Sequence, residues 1–418
     1  MAKNFVNSKV ETISSYLGLD LAYFVGGGFW LGLSMVLTTI GGILLSALFA
    51  RVWPKEVYGQ FSFLMSALGL VSLVALPGMY QAVLQAAAEN KDGVYRQVIK
   101  SVAKWALLGA IALILGSVYF YFNNNQSLSL AFLVSAIAFP LSAGFNLYNP
   151  FLTGKKRFRK VAIYTTVAQF TSIGATALAL WQFPSLVLVA LFSSWSTALI
   201  NIILTIFSFR EVGNNNHDES LMRLGKHLSF SQVFTIGADY LDRFLVPVLL
   251  GFTNNAIYAF AILIPMQIHG LLKIFTTLGQ PKVAEISQKN LKGGLIRKSL
   301  QMEVVVLVVV FFYILAAPSI FKILYPGYGS DVVFLSQIFS LSLLYFPGNI
   351  LSLSFIKARD TKAIYQMNAT YALITVISLV VLVPVFGLIG VVAAKVIARF
   401  AQLATQIYLF KKSTVAEN

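Results

Sequence analysis

The chain has 418 residues, of which 58% are hydrophobic and 11% charged, with a net charge of +16 and no cysteine. A mean hydropathy of +0.78 excludes a water-soluble core of this length, and the missing cysteine excludes disulfide frameworks, thiolate metal sites and cysteine nucleophiles. Three histidines, His217, His227 and His269, leave almost no material for a metal site or a Ser/His/Asp triad, so neither a metal nor an enzyme is expected.

Residues 1–20 place Val6, Val10, Ile13 and Leu17 on one helical face, which suits a helix lying in the membrane interface or a packed tail. From there on, apolar stretches fill the chain. A span needs about 20 apolar residues to cross the hydrocarbon core. About twelve such stretches are legible, at 26–50, 57–77, 103–122, 128–149, 161–182, 185–208, 228–251, 255–280, 299–324, 332–356, 363–384 and 387–410. The first is too long for a cleavable signal and reads as a retained span. Lipid offers backbone amides no water, so each span must be a helix, even a β-branched run such as Val304–Val310. The expected fold is an all-α integral membrane protein with about 12 transmembrane helices in two pseudo-symmetric lobes of six.

The positive charge is sorted by side. The termini and every second loop carry 24 lysines and arginines, and the opposite side carries three, Arg51, Lys55 and Lys322. Short basic loops stay cytoplasmic. Both termini are therefore expected on the cytoplasmic side of the membrane. The basic residues are spread over seven separate segments, which argues against a nucleic-acid partner. The densest run, Lys155-Lys156-Arg157-Phe158-Arg159-Lys160, reads as a topogenic anchor, with capture of anionic lipid headgroups as the alternative. The loops on the other side are too short to house a catalytic domain.

The chain also repeats itself. Residues 49–61, with Tyr58, match residues 249–261, with Tyr258, at an offset of 200; Ala162-Ile163-Tyr164 matches Ala363-Ile364-Tyr365 at an offset of 201. Phe139-Pro140 pairs with Phe346-Pro347, and Phe209-Arg210 with Phe410-Lys411. This order predicts a duplicated six-span unit. The expected division is 1–218, with the interfacial helix and spans 1–6, and 219–418, with spans 7–12. An even repeat gives both halves the same orientation, the plan of a transporter with its site between two lobes.

A charge at membrane depth costs about 2.5–3.5 kcal/mol, so each needs a reason. Span 7 holds Asp239, Asp242 and Arg243, span 8 holds Lys273, and span 12 holds Lys395 and Arg399, a balance of +2. Asp239 and Arg243 are spaced to pair along one helix. Lys273 lies where it can snorkel. Lys395 and Arg399 have no acid in their own span, so they either line a cationic cavity or pair with Asp239 and Asp242 across the lobes. The candidate substrate-binding set is Arg399, Lys395, Arg243 and Lys273, and Asp239 and Asp242 are candidates for ion coupling by H⁺ or Na⁺. No other cofactor is expected. Gly26-Gly27-Gly28 and Gly41-Gly42 precede no Lys-Ser or Lys-Thr and are no P-loop.

Three stretches, Arg51-Val52-Trp53-Pro54-Lys55-Glu56-Val57-Tyr58-Gly59, Leu76-Pro77-Gly78-Met79, and Asp239-Tyr240-Leu241-Asp242-Arg243-Phe244 leading to Ile257-Tyr258, resemble in order and spacing the Wzx-like polysaccharide flippases of the MOP (MATE-like) superfamily. The resemblance covers nearly the whole chain. It implies export of a lipid-linked oligosaccharide on an undecaprenyl-diphosphate-type carrier, by alternating access, with membrane lipids, the lipid-linked oligosaccharide and a glycan polymerase or assembly machinery as partners. The rival expectation is a MATE-like multidrug antiporter, which would favour an acidic cavity.

The orientation is directly testable. In a chain without native cysteine, a cysteine at Lys156 stays unlabelled by an impermeant external reagent in intact cells, whereas one at Asn124 or Asn254 is labelled. Labelling at 156 would reverse the topology.

Overall fold

The computed structural model describes residues 29–285, 288–358 and 360–415, and the proposed interfacial helix at 1–20 lies outside them. Everything regular among the described residues is helical. The order is α1 (Phe29–Val52), α2 (Lys55–Val71) with a 3-10 turn (Ser72–Ala75), α3 (Met79–Ala88), α4 (Gly93–Phe122), α5 (Gln126–Gly144), α6 (Tyr148–Gly154), α7 (Phe158–Gln182) and α8 (Leu186–Ser208). There follow α9 (Glu219–Leu250), α10 (Phe252–Glu285), α11 (Gln288–Leu324), α12 (Gly329–Ser340), α13 (Pro347–Lys357) and α14 (Thr361–Val415).

Ten segments among the described residues are long and apolar enough to cross a membrane. Two features bring this to the expected twelve. The 55-residue α14 would be about 80 Å long as one rod, more than twice the hydrocarbon thickness. It breaks at Gly387, whose φ of 54° and ψ of −129° no helix contains, just after Pro384. The 32-residue α9 is long enough to span but carries too much charge to count as apolar. Span 10 is not one continuous helix. It is built of α12, a 3-10 turn (Leu341–Tyr345) and α13, because Pro347 cannot donate to the preceding turn.

Apart from α2 and α9, which lie as much against the opposite set, the first eight helices pack chiefly on one another, and so do α9 to α14. The two sets meet where α2 and α3 lie against α9, and α1 and α2 against α10. On the lysine-poor side the two copies of the repeated turn face each other. Tyr58 stacks on Phe260 with ring centroids 4.2 Å apart, and the Asn255 amide donates to the Gly59 carbonyl at 2.8 Å. Gly59 must be glycine here, because a Cβ would stand 1.8 Å from the Phe252 carbonyl oxygen. Phe49, Trp53 and Phe61 extend this aromatic seal, and Trp53 donates to the Pro184 carbonyl at 3.0 Å.

On the basic side the linker between the halves is tied down. The fully buried Asp92 carboxylate accepts the Gly213 N–H at 2.8 Å and pairs with Lys155 at 2.7 Å. Its own N–H donates to Asn214 Oδ1, and the Gly93 N–H donates to the Asn216 carbonyl. Lys91 pairs with Asp218 at 2.6 Å, and Lys160 and Arg157 pair with Glu211. Arg159 lies over the Trp30 ring. Four of the five cations in the 155–160 run therefore have partners inside the protein, which fits an anchor better than a lipid-capture patch. The Lys91 ammonium, followed by Ser220, holds the Asp218 carboxyl well below its usual range. A lowered carboxylate stabilises the fold above its unfolded pKa and loses that contribution only as pH falls through the lowered value, so the linker stays docked at neutral and mildly acidic pH.

Gly59→Ala should push the two repeated turns apart and lower folding stability by about 1–3 kcal/mol, as an overpacked contact does. The readouts are a lower thermal midpoint and faster thiol labelling of Phe260→Cys, a position that is fully buried in the intact protein. Unchanged labelling would contradict the seal.

Candidate functional site

The charged face of α9 is built by spacing. Asp239, Asp242 and Arg243 sit three and four residues apart and share one side of the helix. α14 packs against that side and presents Lys395 and Arg399, also four apart.

The contacts form two rungs. Asp242 pairs with Lys395 at 3.0 Å, with side chains only 1% and 6% exposed. The Tyr258 hydroxyl donates to Asp242 Oδ2, and Lys395 also donates to the Ala238 carbonyl at 2.7 Å. This rung is sealed. Asp239 pairs with Arg399 at 2.9 Å, with side chains 35% and 16% exposed, so this rung is open on one side. The Tyr371 hydroxyl donates to Asp239 Oδ1 at 2.6 Å. The Arg399 guanidinium is packed between the rings of Tyr371 and Tyr345, at 4.1 and 4.5 Å, and donates to Gln402 Oε1. Tyr345 in turn shares a hydrogen bond of 2.8 Å with His269 Nε2.

Of the two readings open for Lys395 and Arg399, the structure shows pairing. Both partners lie in the second half of the chain, so the pairs do not run across the halves as the sequence suggested. The expected Asp239–Arg243 pair does not form. Arg243 instead turns to the sulfur of Met266 on α10 and to the Tyr240 ring, 5.4 Å from its guanidinium carbon. Its Nε–H is buried without an acceptor. Lys273 stands exposed on α10, one turn beyond His269. Two acids thus neutralise Lys395 and Arg399, and Arg243 has neither of them as an ion-pair partner.

Arg243 also marks a junction. Its neighbour Tyr240 lies against Gly69 of α2, where a Cβ would come within 2.1 Å of the ring, and Phe244 packs on Phe63 of α2 at 5.2 Å. The unneutralised guanidinium therefore stands where α2, α9 and α10 meet.

Sequence reasoning missed the role of the tyrosines: Tyr258 and Tyr371 are fully buried and donate to the two carboxylates. For Tyr258 a signal existed, since it is the matched residue of the repeat; for Tyr371 the signal was its depth within span 11. His227 lies inside α9. Among the described residues no group of three His, Asp or Glu side chains comes together, and both membrane carboxylates are already held by cations.

This architecture has known counterparts. A multidrug-resistance MATE transporter of the MOP superfamily, in an outward-facing conformation, superposes with a TM-score of 0.67 at 14% identity, over 94% of this chain and 96% of that one. The lipid II flippase MurJ, in an inward closed conformation, superposes with a TM-score of 0.69 at 14% identity, over 91% and 87%. A MOP-superfamily transporter from Pyrococcus furiosus, described as having a binding pocket of reverse polarity, gives 0.65 at 14% identity, over 94% and 96%. No curated protein matches in sequence. The sequence model of the polysaccharide biosynthesis proteins matches residues 24–262, more than half of the chain. The chain therefore belongs to the polysaccharide biosynthesis protein family, built on the all-α membrane fold of the MOP-superfamily transporters.

Proposed function

We propose that this protein is a flippase that moves a lipid-linked oligosaccharide, on a diphosphate carrier of the undecaprenyl type, outward across the cytoplasmic membrane. The observation that carries the reading is the uncompensated Arg243 guanidinium at the junction of the two helix sets, in a chain of a polysaccharide biosynthesis family. A planar fork with an orphaned N–H suits a phosphate or acidic-sugar oxygen. Two lobes, 1–218 and 219–418, rock about this junction. The headgroup enters from the basic, cytoplasmic side while the lipid tail stays in the bilayer. That arrangement needs neither an ATPase motif nor a large soluble domain. A glycan polymerase or similar assembly machinery would receive the product.

Lys395 and Arg399 take a different role from the one their charge suggests. They hold α14 to α9 through Asp239 and Asp242. Protonation of the half-exposed Asp239 would release Arg399 for the substrate, which couples the cycle to H⁺. Na⁺ suits the site less well, since it would have to displace a cation from each carboxylate. The likeness to multidrug transporters keeps cation efflux as the competing reading. A surplus of positive charge argues against it.

Arg243→Ala should reduce flipping about ten- to a hundredfold, the worth of a charge-assisted hydrogen bond, and Arg243→Lys should rescue only part of it. Accumulation of lipid-linked glycan on the cytoplasmic face is the readout. Undiminished surface glycan would dismiss Arg243, and robust efflux of organic cations without a glycan phenotype would favour the antiporter.

Asp242→Ala strands the buried Lys395 and should cost about 3–5 kcal/mol of stability. The double variant Asp242→Leu/Lys395→Met should recover most of that loss in a thermal melt. Asp239→Asn should leave the protein folded but abolish the response of transport to a proton gradient in proteoliposomes. An unaltered response would remove Asp239 from the coupling scheme.

A further inference from the structure

The side of the molecule opposite the basic loops has three cations in its loops and helix ends, and all three converge on one place. Arg51, at the end of α1, donates to the Ile323 carbonyl at the end of α11, at 3.1 Å. Lys55, at the start of α2, lies 5.0 Å over the Tyr328 ring. Lys322 belongs to the last turn of α11. Among the described residues none of the three pairs with a carboxylate. In a protein that holds 24 cations on the other side, this grouping does not follow from topology.

Beside the cluster lies a pocket of 510 Å³ between the end of α11 and the start of α12. Lys322 is its one charged residue, Ser330 and Gln337 supply polar groups, and Phe321, Tyr325 and Phe334 form an apolar wall with neighbouring prolines. Tyr325 is fixed by a hydrogen bond of 2.7 Å to Ser46, so the floor is rigid. The nearby Asp331 opens into an adjacent pocket of 380 Å³, which leaves the first one cationic. A single cation at the rim of an aromatic slot, at the level where helices leave the hydrocarbon, has the chemistry of a lipid phosphate with its chain alongside. A free anion would have no use for the apolar wall, and a sugar would have no use for three cations.

We infer that this corner binds the phosphate of an anionic membrane lipid in the leaflet opposite the basic loops, with Lys322 as the principal contact and Arg51 and Lys55 adding to the local field. The site is separate from the Asp239–Arg399 region and does not depend on the identity of the transported substrate.

The test uses the full chain in proteoliposomes with a phosphatidic acid that carries a diazirine on its acyl chain near the glycerol. After irradiation, label should concentrate on the peptide containing residues 318–337, and excess unlabelled phosphatidic acid should remove it. Lys322→Gln should cut that label about fivefold, the effect of one basic residue on anionic-lipid binding, while Lys322→Arg retains it and labelling of other spans stays constant. Lys322 is exposed, so neither variant should disturb folding. Equal labelling of the Lys322→Gln protein, or equal labelling by a diazirine diacylglycerol that lacks phosphate, would overturn the proposal. Displacement of the label by inorganic phosphate alone would also overturn it, since that would mark a free-anion site.

Discussion

An ionised carboxylate cannot remain in hydrocarbon without a cation beside it. The second half of this structure is organised by that rule. α9 is too polar to count as an apolar span, yet it packs between α2 and α3 on one side and α14 on the other. It is tolerated because α14 brings Lys395 and Arg399 to the depth of Asp242 and Asp239. Neither helix makes sense in lipid alone. Their packing is set by charge matching, with tyrosine hydroxyls supplying the remaining donors. α14 can reach from this pairing back across the membrane only because Gly387 breaks it into two spans.

The two rungs differ in their access to solvent. Asp242 and Lys395 are sealed, and a sealed pair is costly to break and slow to exchange with solvent. Asp239 and Arg399 are partly open and lie against stacked aromatic rings, an arrangement that can hold the guanidinium even when its carboxylate is neutral. A sealed pair and a partly open pair thus sit one helical turn apart on the same two helices. Arg243 stands outside this exchange.

Much of this was legible in the sequence. The spans, their side preference and the repeat follow from hydropathy, from lysine and arginine placement and from matched residues such as Tyr58 and Tyr258. These are local or statistical signals, which the bilayer imposes on every segment alike. The identity of the charged residues was legible too, since a charge inside a span is conspicuous. Their pairing was not. Asp239 lies four residues from Arg243 and 160 from Arg399, and sequence spacing favours the near partner. The choice is made by which face of α9 meets α14 and which meets α2, and by Tyr371, whose hydroxyl points at Asp239. The division of α14 was legible as the gap between the stretches 363–384 and 387–410, and the break in span 10 falls at a proline, Pro347, inside the stretch 332–356. The convergence of Arg51, Lys55 and Lys322 depends on the halves being assembled, and no local pattern carries it.

The glycines along α9 have a mechanical consequence. On the side facing α14 the helix is gripped by ion pairs. On the side facing α2 and α3 it is met by close backbone: Gly69 lies under the Tyr240 ring, Gly78 donates its N–H to Ser229, and Gly225 meets Met79. One face of the rod is thus held by ion pairs and the other by the absence of Cβ atoms, so a single methyl group added at Gly69, Gly78 or Gly225 would part α9 from the first set of helices.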